Sequence, residues 1–93
     1  MPFYSYILKS QKTGKFYKGH SQNLHQRLAL HNSGKTKSTK NGIPWQLVFF
    51  ECFKSRKEAI DREKYFKTAA GRRYIQTLQL SNPVEVPRPI RPK

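Results

Sequence analysis

The hydrophobic positions fall into short blocks separated by polar segments, and their spacing predicts the secondary structure. Residues 4–9 and 15–20 are aromatic-rich runs joined by "SQKTG", in which Gly14 can adopt the positive φ of a tight turn, so they predict a β-hairpin. In "QNLHQRLALHN", Leu24 and Leu28 are four residues apart. They predict a helix with one inward apolar stripe.

The chain also carries signals for where its elements begin and end. Ser21 is the predicted N-cap of the first helix, and Gly34 is its predicted end. The run "WQLVFFECF" is almost continuously apolar, which predicts a central strand buried on both faces. Ser55 and Glu58 form an S-x-x-E capping box that announces a second helix, and a shorter third helix is expected after Gly71.

These elements follow the order β-β-α-β-α-α, which predicts an α+β fold built on a small three-stranded antiparallel sheet flanked by helices. Residues 1–80 are expected to form one domain, since a chain of 93 residues supports a single hydrophobic core. Residues 81–93, "SNPVEVPRPIRPK", are rich in proline and cations and are expected to form a flexible basic tail.

One carboxylate of the second helix lies where an apolar residue would be expected. On a helical wheel Ala59, Ile60 and Phe66 share one face, and Glu63 lies in the middle of that arc. A carboxylate in an apolar stripe is costly unless it meets a cation or a metal ion. Glu63 is therefore expected to bind a metal ion or, as the structural alternative, to pair with Lys67 four residues further on.

The charge of the chain is strongly one-sided. There are 19 Lys and Arg against five Asp and Glu, which gives a formal net charge of +14, and residues 1–50 contain no acid. Such an excess favours a polyanionic partner, most often nucleic acid. A basic protein without such a partner is the less specific alternative.

Other features restrict the cellular context. Cys52 is the only cysteine, which excludes an internal disulfide and a cysteine-based zinc site, and its apolar neighbours predict a buried thiol. The N-terminus lacks a signal-peptide core, and no apolar run approaches the roughly 20 residues of a membrane span. The sequence therefore indicates a cytoplasmic protein without a membrane segment, and it gives no support to a protein partner or a homodimer.

Four segments in this order resemble the motifs of the GIY-YIG nuclease superfamily, in particular its small single-domain bacterial members. "YSYIL" stands at the first motif with Tyr6 as its tyrosine, and "FYKG" stands at the second with Tyr17. "LHQRLALHN" resembles the helix of the catalytic arginine, here Arg27. "PWQLVFFECFKSRKEAIDREKYFK" resembles the strand and helix leading to the metal-binding glutamate, here Glu63. The resemblance covers about residues 3–76.

The resemblance implies hydrolysis of phosphodiester bonds in DNA, in repair or nucleic-acid processing, assisted by one Mg²⁺ or Mn²⁺ ion held by Glu63. Arg27 would contact the phosphoryl oxygens. Tyr17 would take a proton from the attacking water, since a phenol surrounded by cations becomes a usable base. Tyr6 would orient the water or a phosphate oxygen. His31 would relay the proton or hold Tyr17, or it would merely suit the C-terminal end of the helix.

Further basic residues are candidates for contacts with substrate. Lys18 and His20 follow Tyr17 closely, so they are expected to place positive charge near it. The predicted substrate-binding residues are Lys18, His20, Lys35, Lys37 and Lys40. DNA is expected in preference to RNA, selected by structure more than by sequence. The alternative is a basic nucleic-acid-binding module that keeps the fold but does not cleave.

A shared site sets a condition on the hairpin. Tyr6 and Tyr17 reach the same face of the sheet only if the numbers of paired residues add up to an odd value, because side chains alternate along a strand. An even loop, such as residues 11–14, or a β-bulge is therefore predicted.

Overall fold

The computed structural model describes residues 2–87 of the chain. Its elements are β1 (Phe3–Ser10), β2 (Phe16–Ser21), α1 (Leu24–Asn32), a 3₁₀ turn (Lys40–Gly42), β3 (Trp45–Phe53), α2 (Arg56–Phe66) and α3 (Ala69–Leu78). The strands form one sheet in the order β2-β1-β3, and both pairings are antiparallel. The predicted α+β class and the predicted element order are confirmed.

Strand β1 lies in the middle of the sheet, and its side chains alternate between two hydrophobic clusters. The cluster beneath α1 contains Tyr6, Leu8, Leu24, Trp45 and Leu47. The cluster beneath α2 and α3 contains Ile7, Val48, Phe66 and Ile75. Leu28 packs against the first cluster, so the predicted inward stripe of α1 is confirmed. The sheet thus has α1 on one face and the other two helices on the opposite face.

The prediction that "WQLVFFECF" forms a central strand is wrong, because β3 is an edge strand paired only with β1. The run is apolar because both faces of β3 are covered: Leu47 packs on the α1 side and Val48 on the α2–α3 side. The outer edge of β3 is also partly covered. The backbone N–H of Val84 donates to the carbonyl oxygen of Leu47 at 2.8 Å, and Val86 packs against the α1-side cluster.

The start of α1 differs from its predicted position. Asn23, not Ser21, is the N-cap: its side chain accepts a hydrogen bond from the backbone N–H of Gln26 at 3.0 Å. Ser21 is the last residue of β2, and its hydroxyl bonds to the backbone of Asn23. The Ser21 hydroxyl therefore stabilises the turn before α1 and does not cap the helix.

The predicted capping of α2 is confirmed, whereas α3 begins earlier than expected. The Ser55 side chain accepts from the backbone N–H of Glu58. Helix α3 begins at Ala69 and is capped by Thr68, so Gly71 lies inside it. A Cβ at Gly71 would overlap the backbone of Tyr65. This glycine permits close approach of α2 and α3 and does not mark a helix boundary.

Two predictions concern the surface of the domain. Cys52 is exposed, not buried, because it lies near the end of β3 beside Pro2 and Lys54. The domain boundary predicted after residue 80 stays a prediction. Of the predicted tail, residues 88–93 lie outside the described residues. The part before them includes Val84, which bonds to β3, and Val86, which packs against the α1-side cluster.

Gly19 leaves the space that the ring of Tyr6 occupies. It pairs with Tyr6 across β1 and β2. A Cβ added at Gly19 would lie 2.5 Å from Tyr6 Oη and 2.6 Å from Tyr6 Cζ. Any larger residue at this position would therefore displace the buried phenol.

We expect Gly19→Ala to lower the free energy of unfolding by about 1–3 kcal/mol, because the added methyl group overpacks the Tyr6 ring. Urea denaturation measures this change. In a Tyr6→Leu background the same substitution should cost less than about 0.5 kcal/mol, since the clashing ring atoms are absent. Equal losses of unfolding free energy in the two backgrounds would show that the effect of Gly19→Ala does not come from overlap with the Tyr6 ring.

Candidate active site

The hairpin register places Tyr6 and Tyr17 on the same face of the sheet. Tyr6 pairs with Gly19 and Leu8 pairs with Tyr17, so the numbers of paired residues add up to the odd value 25. The Ser10 N–H donates to the Lys15 carbonyl oxygen, and this last pair of the hairpin also adds up to 25, so it encloses a loop of four residues, 11–14. The two phenol rings are 6.4 Å apart. Both the predicted even loop and the predicted shared face are confirmed.

His31 lies in the last turn of α1 and contacts both tyrosines. It is only 2% exposed. Its Nε2 is 3.0 Å from Tyr6 Oη, and its ring centroid is 4.7 Å from that of Tyr17. Burial lowers the pKa of His31, and the positive charge of Arg27 lowers it further. The imidazole is therefore neutral at pH 7.

The other ring nitrogen of His31 contacts a residue of the polar loop, which is formed by residues 33–44 between α1 and β3. His31 Nδ1 is 3.0 Å from Thr39 Oγ1. That hydroxyl also lies 3.5 Å from the carbonyl oxygen of Thr36, to which it can donate. We therefore expect Nδ1 to carry the proton and donate to Thr39, and Nε2 to accept from the Tyr6 hydroxyl.

Tyr6 remains a protonated phenol in this arrangement. Burial raises its pKa, and negative charge on Tyr17 or Glu63 raises it further, against the opposite effect of Arg27. Tyr6 is thus suited to donate and position, not to act as a base. The same effects indicate that Arg27 and Glu63 both lie within electrostatic reach of the Tyr6 hydroxyl.

Arg27 borders an open polar cleft at the N-terminal end of α1. The cleft has a volume of about 280 Å³, and its walls include His20, Gln26, Arg27 and Arg56. The side chain of Arg27 is exposed. Two guanidinium groups beside a small polar opening form a place where phosphate oxygens can bind.

Glu63 lies on the opposite side of the sheet from the tyrosines, on α2, with its side chain 17% exposed. Its Oε1 is 2.7 Å from His20 Nδ1, and its Oε2 is 2.7 Å from Lys67 Nζ. The predicted alternative of an ion pair with Lys67 is therefore present. His20 links the two sides, because it contacts Glu63 and also lines the Arg27 cleft.

The charged state of Glu63 is stabilised by these partners. Partial burial would by itself raise the pKa of Glu63, but the hydrogen bonds from Lys67 and His20 outweigh that effect, so the pKa is lowered. The carboxylate is ionised at neutral pH.

The donor set fits a cation that needs only one protein carboxylate. Within residues 2–87 there is no group of three or more His, Cys, Asp or Glu side chains able to hold a metal ion. Mg²⁺ commonly keeps several waters and takes one or two carboxylates together with substrate phosphates. Glu63 meets that requirement, because the Lys67 side chain is 55% exposed and can move away into solvent.

The predicted substrate-binding residues divide between different surfaces. Lys35, Lys37 and Lys40 are exposed in and beside the polar loop. Lys18 pairs with Ile7 and points to the α2–α3 side, near Lys67 and Arg72. The expectation that Lys18 places its charge beside Tyr17 is wrong, because consecutive residues of a strand point to opposite faces.

Sequence reasoning did not find two residues of the site. Arg56 lines the cleft with Arg27, and a cation in the first turn of a helix opposes the helix dipole, so its position was an available signal. Thr39 had no signal, because it lies eight residues beyond His31 in an irregular loop. The backbone carbonyl of Thr39 also accepts from Trp45 Nε1 at 2.7 Å, which anchors the loop to the core.

Known protein families include one whose sequence pattern this chain matches. The sequence matches the family described as "GIY-YIG catalytic domain" over residues 2–76. The chain belongs to the GIY-YIG family. The resemblance inferred from the four motifs is confirmed, and membership of this family indicates a nuclease domain that acts on nucleic acid.

Other small GIY-YIG proteins are similar along most of their length. The chain is 39% identical over 77 residues to a UPF0213 protein of Bacillus licheniformis, covering 78% of each chain. It is 38% identical over 77 residues to a UPF0213 protein of Staphylococcus haemolyticus, covering 82% of this chain and 93% of the relative. The solution NMR structure of a UPF0213 protein from Bacillus halodurans superposes with a TM-score of 0.51 at 32% identity, covering 86% of this chain and 85% of that one.

None of the helices formed by residues 2–87 has the length and apolar character needed to cross a membrane.

We expect Thr39→Val to disturb His31 although it changes the volume of the side chain little. The buried Nδ1–H would lose its acceptor, which should cost about 1–3 kcal/mol in free energy of unfolding or shift the imidazole to the other tautomer. Imidazole ¹⁵N chemical shifts report the tautomer, and Thr39→Ser should restore the Nδ1–H form. Identical imidazole spectra and stabilities in Thr39→Val and the unchanged protein would contradict the bond.

We expect Glu63 to stabilise the fold in a pH-dependent way. Because its pKa is lowered on folding from 4.5, its contribution is present above about pH 4.5 and is lost as pH falls through the lower pKa of the folded protein. Glu63→Gln should lower stability by about 1 kcal/mol at pH 7. Thermal unfolding at a series of pH values should show this difference shrinking in acid.

Asp61→Asn is the matched control for this experiment, since Asp61 pairs with Lys57 on the exposed face of the same helix. It should change stability by less than about 0.5 kcal/mol. A Glu63→Gln effect that stays constant down to pH 3 would exclude the proposed linkage.

Proposed function

We propose that this protein is an endonuclease that hydrolyses phosphodiester bonds in DNA with one divalent cation, Mg²⁺ or Mn²⁺, and acts in repair or nucleic-acid processing. The observation that carries the proposal is the position of His20. It hydrogen-bonds Glu63 and lines the cleft of Arg27, so that one side chain connects the carboxylate on α2 with the cleft that the guanidinium borders. The net charge of +14 supports a polyanionic substrate.

Each side chain has a role in this proposal. Arg27, with Arg56 beside it, binds the oxygens of the scissile phosphate. Tyr17 is the general base: its phenolate form accepts the proton of the attacking water and becomes the neutral phenol, whereas the hydroxyl of Tyr6 is already hydrogen-bonded to His31. Tyr6 orients the water or a phosphate oxygen, and His31 holds Tyr6 by a hydrogen bond and Tyr17 by ring contact.

Glu63 is the residue that would hold the divalent cation. When bound, the cation would stabilise the negative charge on the leaving oxygen. Lys67 would release Glu63 and His20 would keep it oriented, since His20 contacts the other carboxylate oxygen.

A second function is favoured by one observation. Both oxygens of Glu63 are engaged by His20 and Lys67, which supports a basic nucleic-acid-binding module that retains the fold without cleaving. The exposed lysines 35, 37 and 40 would contact the phosphate backbone in either case.

We expect the purified protein to cut supercoiled, branched or single-stranded DNA only with Mg²⁺ or Mn²⁺ present. Tyr17→Phe and Glu63→Gln should each reduce the cleavage rate about 100-fold or more, because each removes a group that acts in the reaction. Gel assays of cleavage and fluorescence anisotropy in EDTA separate catalysis from binding. Binding should change less than about threefold.

Glu58→Gln is the control for charge, since Glu58 is an exposed carboxylate on the same helix. It should leave the cleavage rate within about twofold. Binding that weakens steeply with salt, without metal-dependent cleavage of any substrate, would favour the non-cleaving module instead.

A further inference from the structure

A second cleft, of about 190 Å³, lies between the edge strand β2 and helix α3, outside the candidate active site. Its walls are Phe16 and Lys18 from β2 and Arg72, Ile75 and Gln76 from α3. Residues two apart on a strand, and three or four apart on a helix, point the same way. The cleft is therefore formed by one face of each element.

The charged groups of this cleft are all positive. Within residues 2–87, none of the salt bridges involves Lys18 or Arg72. Burial lowers the pKa of Lys18, and the nearby charges of Arg72 and Lys67 lower it further. Repulsion among cations at a partly buried position would be relieved by a bound anion.

The rest of the cleft is apolar and aromatic. Phe16 is half-buried, and Ile75 is 3% exposed in the cluster beneath α2 and α3. A lone phosphate would not pack against these apolar side chains. A nucleotide carries both a phosphate for the cations and a flat base that packs against aromatic and aliphatic side chains.

The cleft lies directly beside the candidate active site. Lys18 precedes Gly19 and His20 on β2, and Lys67, whose charge acts on Lys18, is 2.7 Å from Glu63. Arg27 lies on the other side of the same edge strand, because α1 covers the opposite face of the sheet. A nucleic-acid strand that crosses the edge of β2 would therefore meet both clefts.

We propose that the β2–α3 cleft binds one unpaired nucleotide of the nucleic-acid substrate, with its phosphate at Lys18 and Arg72 and its base against Phe16 and Ile75. The inference rests on the proposed function, since its ligand is the substrate of that activity. A base inside a duplex is stacked and paired, so it cannot enter. The cleft thus selects strands with an unpaired nucleotide next to the scissile phosphate.

The first test compares two neighbouring arginines of α3. Both side chains are exposed, but Arg72 lines the cleft and Arg73 does not. Anisotropy is measured in EDTA with a labelled single strand and with the blunt duplex of the same sequence. Arg72→Gln should raise Kd about tenfold for the single strand and at most about threefold for the duplex. Arg73→Gln should raise both Kd values by at most about threefold.

The second test locates the base directly. In the complex with a short oligothymidylate, nuclear Overhauser effects should join the thymine methyl protons to the ring of Phe16 and the methyl groups of Ile75. Phe16→Leu should weaken single-strand binding about tenfold without a change in fold, which the amide spectrum reports. Equal effects of Arg72→Gln and Arg73→Gln on both ligands, or the absence of these contacts in the bound state, would overturn the proposal.

These outcomes are separable from those of the nuclease test. Metal-dependent cleavage that requires Tyr17 and Glu63 but is unchanged by Arg72→Gln on every substrate would contradict the proposed role of the cleft and support the proposed nuclease activity. Single-strand binding that depends on Arg72 and Phe16 in a protein that never cleaves would support the proposed role of the cleft and contradict the proposed nuclease activity.

Discussion

The four-residue loop between β1 and β2 controls the candidate site, because it sets which face of the sheet each hairpin side chain occupies. With this register Tyr6 and Tyr17 share the face covered by α1, where His31 reaches both rings. A loop one residue longer or shorter would turn one phenol to the α2–α3 side. The chemistry proposed for the protein therefore depends on a backbone constraint set outside the site itself.

The shared face is then made rigid by close packing. Gly19 leaves room for the Tyr6 ring on the neighbouring strand. The Tyr6 hydroxyl is hydrogen-bonded to Nε2 of His31, and Nδ1 of the same imidazole is hydrogen-bonded to Thr39. The polar loop belongs to the same network, because the carbonyl oxygen of Thr39 accepts a hydrogen bond from Trp45 Nε1. Hydrogen bonds at both ring nitrogens of His31 fix its orientation, whereas a free imidazole would rotate.

Positive charge lines both clefts. Arg27 and Arg56 line the first, and Lys18 and Arg72 line the second. Of the two partners of Glu63, His20 lines the first cleft, and Lys67 is near enough to Lys18 for its charge to lower the pKa of that residue. A polyanion that contacts both clefts would meet cations at two places near a single carboxylate. Such an arrangement suits a strand that is held at two places around the bond to be broken.

The sequence by itself determined the order of elements, the apolar stripe of α1, the cap of α2 and the need for a partner at Glu63, because these depend on periodicity and local hydrogen bonds. Only the tertiary structure decided that β3 is an edge strand, that Gly71 lies inside α3 and that Cys52 is exposed. It also decided that Lys18 faces away from Tyr17 and that Thr39 reaches His31. These features arise from contacts between segments distant in the chain, and neither local propensity nor charge pattern encodes such contacts.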